Sequence, residues 1–207
     1  RNLPDTDGWR TVLIERGRKM GLGTAYVAGF TRALELRADY IVQMDADLSH
    51  EPEYIPGLLE TLGGADVVVG SRYALGGGVD ETWGVFRRML SYTGNLGIRV
   101  ITGLRVKDAT AGFKAFDARV LASIDLAQLR CKGFAFQAEV AHACQGIGYR
   151  VEERPIVFRS RASGKSKMSI AIIAEALWKL LPLRWRARSR IARISGRKHI
   201  ASRKSVR

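Results

Sequence analysis

The chain is poor in the residues that most often carry redox or metal chemistry. Its 207 residues hold two cysteines, Cys131 and Cys144, and three histidines. The cysteines are too far apart for a CxxC motif and too few for a disulfide framework, so buried reduced thiols are expected. The histidines lack metal-ligand spacing; His50 draws interest only because it stands near Asp47. No stretch reaches the ~18 uninterrupted apolar residues of a membrane span and no signal peptide opens the chain, so a soluble or peripheral protein is expected. Acidic residues are absent from Arg184 to Arg207, which is rich in Lys and Arg, so this tail carries most of the net charge of +14. A basic nucleic-acid-binding protein is the alternative class. The body, however, has no RRM-like aromatic motif, zinc spacing or evident recognition helix, so no nucleic-acid partner is expected.

A hydrophobic content of 46% is enough for one substantial core, which suggests one domain followed by a tail. The chain opens on Arg1, not Met, in the polar run Arg1 to Gly8, and an upstream segment is expected. Trp9 to Glu15 reads as a short strand. Gly21-Leu22-Gly23 then leads into a helix with Thr24 as N-cap. Gly21 and Gly23 lack the third glycine and acidic residue of a dinucleotide fingerprint and read as a strand-to-helix turn. Tyr40 to Met44 reads as a strand, Pro52 to Leu62 as a helix, and Asp66 to Gly70 as a strand covered on both faces. After the loop Gly76-Gly77-Gly78, helices are expected at Trp83–Thr102, Asp117–Ile124 and Ala135–Gln145. A strand at Tyr149–Phe158, a mobile basic loop at Ser160–Lys167 and an amphipathic helix from Met168 follow. Alternating strands and helices predict an α/β fold with a mostly parallel sheet.

The strongest chemical signal is Asp45-Ala46-Asp47 at the end of an apolar strand. In extended chain, residues i and i+2 share a side, so both carboxylates can converge on one point. A hard cation, Mg²⁺ or Mn²⁺, relieves their repulsion while binding phosphate oxygens. A solvated acidic turn is the plainer alternative. Arg87 and Ser91, four apart on a helix, can meet one phosphate, although an isolated arginine there also reads as a solvated charge. Asp108 reads equally as a local turn former or as an orienting group, and Glu139 is similarly ambiguous.

The succession Gly21-Leu22-Gly23-Thr24-Ala25-Tyr26, Met44-Asp45-Ala46-Asp47-Leu48-Ser49-His50, Gly70-Ser71-Arg72-Tyr73, Asp108-Ala109-Thr110-Ala111-Gly112-Phe113-Lys114 and Gly164-Lys165-Ser166-Lys167-Met168 resembles the polyprenol-phosphate (dolichol-phosphate) mannosyltransferases. These are inverting family 2 glycosyltransferases of GT-A fold, and the likeness runs from about Thr11 to Leu181. The resemblance implies that the family's N-terminal strands are missing here. It further implies mannose transfer from GDP-mannose to polyprenyl phosphate, with another donor such as UDP-glucose as the rival. Asp45, Asp47 and Ser49 match its metal ligands, and Asp45, Ala46, Asp47 and Arg72 its donor site. Arg87 and Ser91 match acceptor-phosphate residues, and Arg161 and Lys167 match basic residues that close over the diphosphate. Asp47, Arg87 and Asp108 are the catalytic candidates.

The expected organisation is a catalytic domain at 1–167, an amphipathic membrane-interface helix at 168–186 and a basic tail at 187–207. A peripheral location on the cytoplasmic face of the membrane follows. A separate membrane-anchoring or downstream acyltransferase partner is a further expectation.

Overall fold

Val67–Ser71 is buried at all five positions, which demands cover on both faces of the sheet. The computed structural model describes residues 10–18, 20–131, 133–160 and 176–183. In chain order these form α1 (Leu22–Glu35), β1 (Tyr40–Gln43), a 3-10 turn at Pro52–Tyr54 running into α2 (Ile55–Leu62), β2 (Val67–Ser71), β3 (Gly78–Val79), α3 (Val85–Thr102) and β4 (Lys114–Asp117). Then come α4 (Ala118–Ser123), a 3-10 turn at Leu126–Gln128, α5 (Ala135–Ile147), β5 (Val151–Pro155) and β6 (Val157–Phe158). Residues 176–183 are helical and are called α6.

The main sheet has the order β1-β4-β2-β5. β4 runs antiparallel to β1 and β2, whereas β2 and β5 are parallel. Three of the four strands share one direction, as alternating strands and helices predict. The reversed β4 nevertheless leaves one parallel ladder in three, so the sheet is mixed, not mostly parallel. The reversal decides where the site lies. Gln43, Lys114, Val69 and Glu153 stand level across the sheet, so the segment preceding β4 emerges at the same edge as the carboxyl ends of β1, β2 and β5. Open α/β sheets bind ligands at that edge. β3 and β6 form a separate parallel pair.

Strand period 2 divides the core. Ile41, Val67, Val69 and Phe116 face the larger cluster, with Phe30 of α1, Ile98 of α3, Phe136 and Val140 of α5 and Leu180 of α6. Val68, Phe113 and Ala115 face α2 through Leu58 and Leu62. Each such side chain, fully buried, contributes about 1.5–3 kcal/mol. Phe116 also meets Phe30 edge-on, with ring centroids 5.5 Å apart.

Several local expectations change. Residues 10–16 form no strand: Val12, Leu13 and Ile14 stay exposed because the apolar run finds no ladder among the described residues. The N-cap of α1 is Gly21, not Thr24; Thr24 lies inside the first turn and its hydroxyl donates back to the Gly21 carbonyl at 3.0 Å. Gly23 must be glycine, since a Cβ there would lie 2.2 Å from the Cys131 carbonyl oxygen. The strand expected at Tyr149–Phe158 splits at Ile156 into β5 and β6, and Ile156 drops into the α2 core. The apolar face of α6 is Ala176–Leu180–Leu183, packed on the core, whereas Leu181 and Trp178 are exposed.

A candidate active-site cleft

The loop after β1 carries Asp45 to His50 to the sheet edge. Tyr26 of α1 donates its hydroxyl to Asp45 Oδ1 at 2.5 Å, and its ring stacks on Phe136. Gly112 closes in from the segment before β4: a Cβ there would lie 3.0 Å from Asp45 Oδ2, so any larger residue would press on that carboxylate. Asp47 accepts from both the Ser49 amide (3.2 Å) and the Ser49 hydroxyl (2.5 Å). Between them Leu48 adopts φ +62°, a strained conformation for a branched residue costing about 1–3 kcal/mol. Ala46 is exposed and Ser49 is fully buried. His50 lies against Phe113 and Phe158, and its Nδ1 accepts from the Asp45 amide at 3.3 Å, which selects the neutral Nε2–H tautomer. Burial pushes the His50 pKa down, outweighing the pull of Asp45 and Asp47.

Arg72 follows β2 and is held by Asp108. Nε donates to Oδ2 and Nη2 to Oδ1, each at 2.8 Å, and the Arg72 amide adds a third bond to Oδ2. Thr110 accepts from the same Nη2. Burial alone would raise the Asp108 pKa, but the Arg72 charge and its hydrogen bonds hold it below the usual carboxylate range. The segment that presents Asp108 is itself pinned: Glu153 of β5 accepts from the Lys107 and Asp108 amides at 2.8 Å. Asn95 of α3 accepts from the Ala109 amide and donates to the Lys107 carbonyl. Neither Asn95 nor Glu153 is visible as a site residue in sequence. Each lies distant along the chain and serves backbone, not substrate.

The first turns of α3 supply Arg87 and Ser91. The Arg87 guanidinium lies 3.7 Å from the centroid of Trp83, and Ser91 shares a 2.9 Å hydrogen bond with the Tyr73 hydroxyl. Asp45, His50, Arg72, Arg87, Ser91 and Gln137 all line one cleft, so residues 92 positions apart are brought together. Glu139 is elsewhere: it accepts from the Arg130 and Cys131 amides and shapes the approach to α5. Arg161 and Lys167 lie outside the described residues, as do most of the helix expected at 168–186 and the whole tail.

The carboxylates suit a hard cation by their chemistry. Burial first, then the charge of Asp45 and the hydrogen bond to it, and least the charge of Asp47, raise the Tyr26 pKa. Arg72 is matched to Asp108. Among the described residues no three His, Cys, Asp or Glu side chains gather as a metal cage. Two carboxylates with the remaining ligands drawn from phosphate and water is the arrangement Mg²⁺ commonly takes.

The mixed sheet, the acidic loop after β1 and the cationic cleft define a GT-A-type transferase fold. Residues 2–124 match the family "Glycosyl transferase family 2". The chain is 44% identical over 165 residues to an undecaprenyl-phosphate mannosyltransferase of Micrococcus luteus, covering 80% of this chain and 68% of that protein. It is 40% identical over 195 residues to a polyprenol monophosphomannose synthase of Mycolicibacterium smegmatis, covering 94% and 72%. The chain belongs to glycosyl transferase family 2 and is a glycosyltransferase. Among solved structures it is similar to glucosyl-3-phosphoglycerate synthase of Mycobacterium tuberculosis in complex with Mn²⁺, UDP-glucose and phosphoglyceric acid. That likeness has a TM-score of 0.50 at 13% identity over 82% of this chain, and the chain spans 55% of that structure's length.

Proposed function

We propose that this chain transfers mannose from GDP-mannose to the phosphate of a polyprenyl phosphate, with inversion at the anomeric carbon. The observation that carries this reading is one cleft lined by a carboxylate, two guanidinium groups and a hydroxyl: Asp45, Arg72, Arg87 and Ser91. The names of the two relatives, an undecaprenyl-phosphate mannosyltransferase and a polyprenol monophosphomannose synthase, support the sugar and the lipid.

In this reading Asp45 and Asp47, with Ser49, would hold a Mg²⁺ or Mn²⁺ ion. Bound there, the ion supplies Lewis-acid stabilisation of the charge that develops on the departing diphosphate. Arg72, fixed by Asp108, offers the donor a guanidinium that needs no reorganisation at the moment of reaction. Arg87 and Ser91 hold the acceptor phosphate. A phosphate monoester has a second pKa near ~6 and is already a nucleophile at neutral pH, so no protein base is required. One of its oxygens forms the new bond to the anomeric carbon on the face opposite the GDP. The bond from that carbon to the diphosphate oxygen breaks, and GDP leaves with the electron pair. A single displacement inverts the centre and gives the β-linked sugar phosphate. Asp108 acts through Arg72, because its carboxylate is buried and engaged by that side chain.

No helix among the described residues is long and apolar enough to cross a membrane. An exposed apolar stripe, Val85, Phe86, Met89, Leu96 and Val100, runs along α3 from the turn that carries Arg87. It places a lipid-compatible surface on the face of α3 turned away from Arg87 and Ser91, and exposed Trp178 of α6 suits the same interface. A catalytic domain at 1–167, an interface helix at 168–186 and a basic tail at 187–207 then give peripheral attachment to the cytoplasmic leaflet. A membrane-anchoring partner is compatible with that arrangement.

The test incubates the full-length enzyme with polyprenyl phosphate, Mg²⁺ or Mn²⁺, and labelled GDP-mannose or UDP-glucose in turn. A polyprenyl-phosphate mannose product is expected. A glucosyl product without a mannosyl one would overturn the proposal.

A further inference from the structure

Beneath the cleft floor lies an ionisable side chain that the steps above do not use. Lys114 is fully buried and shares the face of β4 that carries Phe116 into the larger core. Its ammonium meets two neutral oxygens: the Ala111 carbonyl, and Gln137 Oε1 at 2.7 Å. The same Oε1 accepts from Gln43 Nε2 at 2.7 Å, and that Nε2 also donates to the Gly112 carbonyl at 2.7 Å. Two donors on one oxygen determine how the Gln137 amide is turned, because the opposite orientation would set an NH₂ group against an ammonium and a second NH₂. The choice leaves Gln137 Nε2 and Gln43 Oε1 buried without a hydrogen-bond partner among the described residues.

A buried amine whose hydrogen bonds among the described residues go to neutral oxygens, with two orphaned polar atoms beside it, is costly in a core where apolar side chains would pack freely. What the arrangement achieves is local. Lys114 and Gln43 hold the carbonyls of Ala111 and Gly112, and Gly112 is the residue whose backbone abuts Asp45 Oδ2. Gln137 ties the pair to the first turn of α5, and like Ala111 and Gly112 it lines the cleft. Outer groups of this kind orient metal-binding carboxylates, and their loss commonly lowers metal affinity 10–100-fold.

We propose that Lys114, Gln137 and Gln43 form a buried positioning network that holds the Ala111–Gly112 backbone against Asp45 and thereby sets the carboxylate for binding the donor diphosphate and its cation. This rests on the reading that Asp45 serves the donor. Lys114 is a positioning residue, since it touches neither substrate nor reacting atoms.

The experiment compares full-length wild type, Lys114→Met, Gln137→Leu, the double variant and Gln137→Glu, which keeps an oxygen for both donors. Calorimetry reads GDP-mannose binding with Mn²⁺ present, thermal melting reads the fold, and KM is measured separately for GDP-mannose and polyprenyl phosphate. Lys114→Met and Gln137→Leu should each raise the donor Kd and KM roughly 10–100-fold while leaving the acceptor KM within about two-fold. The double variant should be no worse than either single one, with its Tm close to wild type, and Gln137→Glu should retain donor binding. An unchanged donor Kd in the variants, or donor and acceptor KM rising together, overturns the network while leaving the donor assignment of Asp45 standing. A wild type that binds no GDP-mannose with Mn²⁺ overturns both. If Lys114→Met does not fold, the contrast between Gln137→Leu and Gln137→Glu decides alone.

Discussion

Arg72 and Asp108 meet through two parallel hydrogen bonds of 2.8 Å, with the Asp108 side chain wholly removed from solvent. Breaking such a buried pair by removing one partner costs about 3–5 kcal/mol. Asp108→Ala is therefore expected to lower the urea midpoint strongly, and Asp108→Asn less so. The Asp108 pKa is depressed in the fold, so its contribution is present above the ordinary carboxylate range and disappears as pH falls through the depressed value. Acid denaturation of wild type and Asp108→Asn should converge at low pH; parallel curves would show that the pair carries no linked protonation.

Lys114 is linked to pH in the same sense, in a higher window. Burial pushes its pKa down to about 7, opposed by Asp108, Cys144 and Asp45 and reinforced by Arg72. Unfolded, it titrates near ~10.4. Between these values the unfolded chain binds more protons, so stability should rise with pH by up to about 1.4 kcal/mol per unit from this group. Below pH 7 its slope vanishes. Denaturation at successive pH values should show the rise in wild type and its absence in Lys114→Met.

Asp47→Asn tests the cation site. Loss of outer-shell partners costs about 10–100-fold in metal affinity, and loss of a direct ligand should cost at least that. Activity titrated against Mg²⁺ and Mn²⁺ is expected to shift to much higher metal concentration. A metal response identical to wild type would remove Asp47 from the ligand set.

Arg87→Ala should act on the acceptor. A hydrogen bond to a charged group contributes about 1.5–3 kcal/mol, equivalent to roughly 10- to 150-fold in KM for polyprenyl phosphate, with the KM for GDP-mannose little changed. Steady-state kinetics with each substrate varied in turn makes the distinction, and equal effects on both would place Arg87 outside the acceptor subsite.

The stripe on α3 predicts membrane behaviour. Phe86 and Met89 are 71% and 61% exposed, so Phe86→Glu with Met89→Glu should change stability by no more than about 0.5 kcal/mol per site. Flotation with vesicles of anionic phospholipid should nevertheless fall. Unaltered flotation would leave attachment to other parts of the chain.

Much of the sheet can be read from local pattern. Val67 to Gly70 is an uninterrupted apolar run, and only a strand covered on both faces uses one. β4 escapes that reading, because Lys114-Ala115-Phe116-Asp117 has little β-branched character and a lysine at one of its three fully buried positions. Its strand state comes from ladders on both sides, to Tyr40–Gln43 and Val67–Val69. Asp117, expected inside a helix, instead caps α4 by accepting from the Arg119 amide.

Within the cleft the same division holds. Arg87 and Ser91 are legible because four residues make one helical face, whereas Asp45 and Asp47 lie past the end of β1 in a bent segment, not in extended chain, and of the two Asp45 lines the cleft. Tyr26, Asn95, Glu153 and Gln137 are not legible, since each acts across 14 to 94 residues of chain.

By itself, the sequence determined the apolar strands at Tyr40–Gln43 and Val67–Ser71, the helix that bears Arg87 and Ser91, and the place of Asp45 after β1, because each depends on residues within a turn or two of one another. Only the tertiary structure decided that β4 is reversed, that Arg72 belongs to Asp108, and that a lysine lies buried under Asp45. Those depend on which distant segments share a sheet edge, and the period of side chains along one segment carries no record of its neighbour across the ladder.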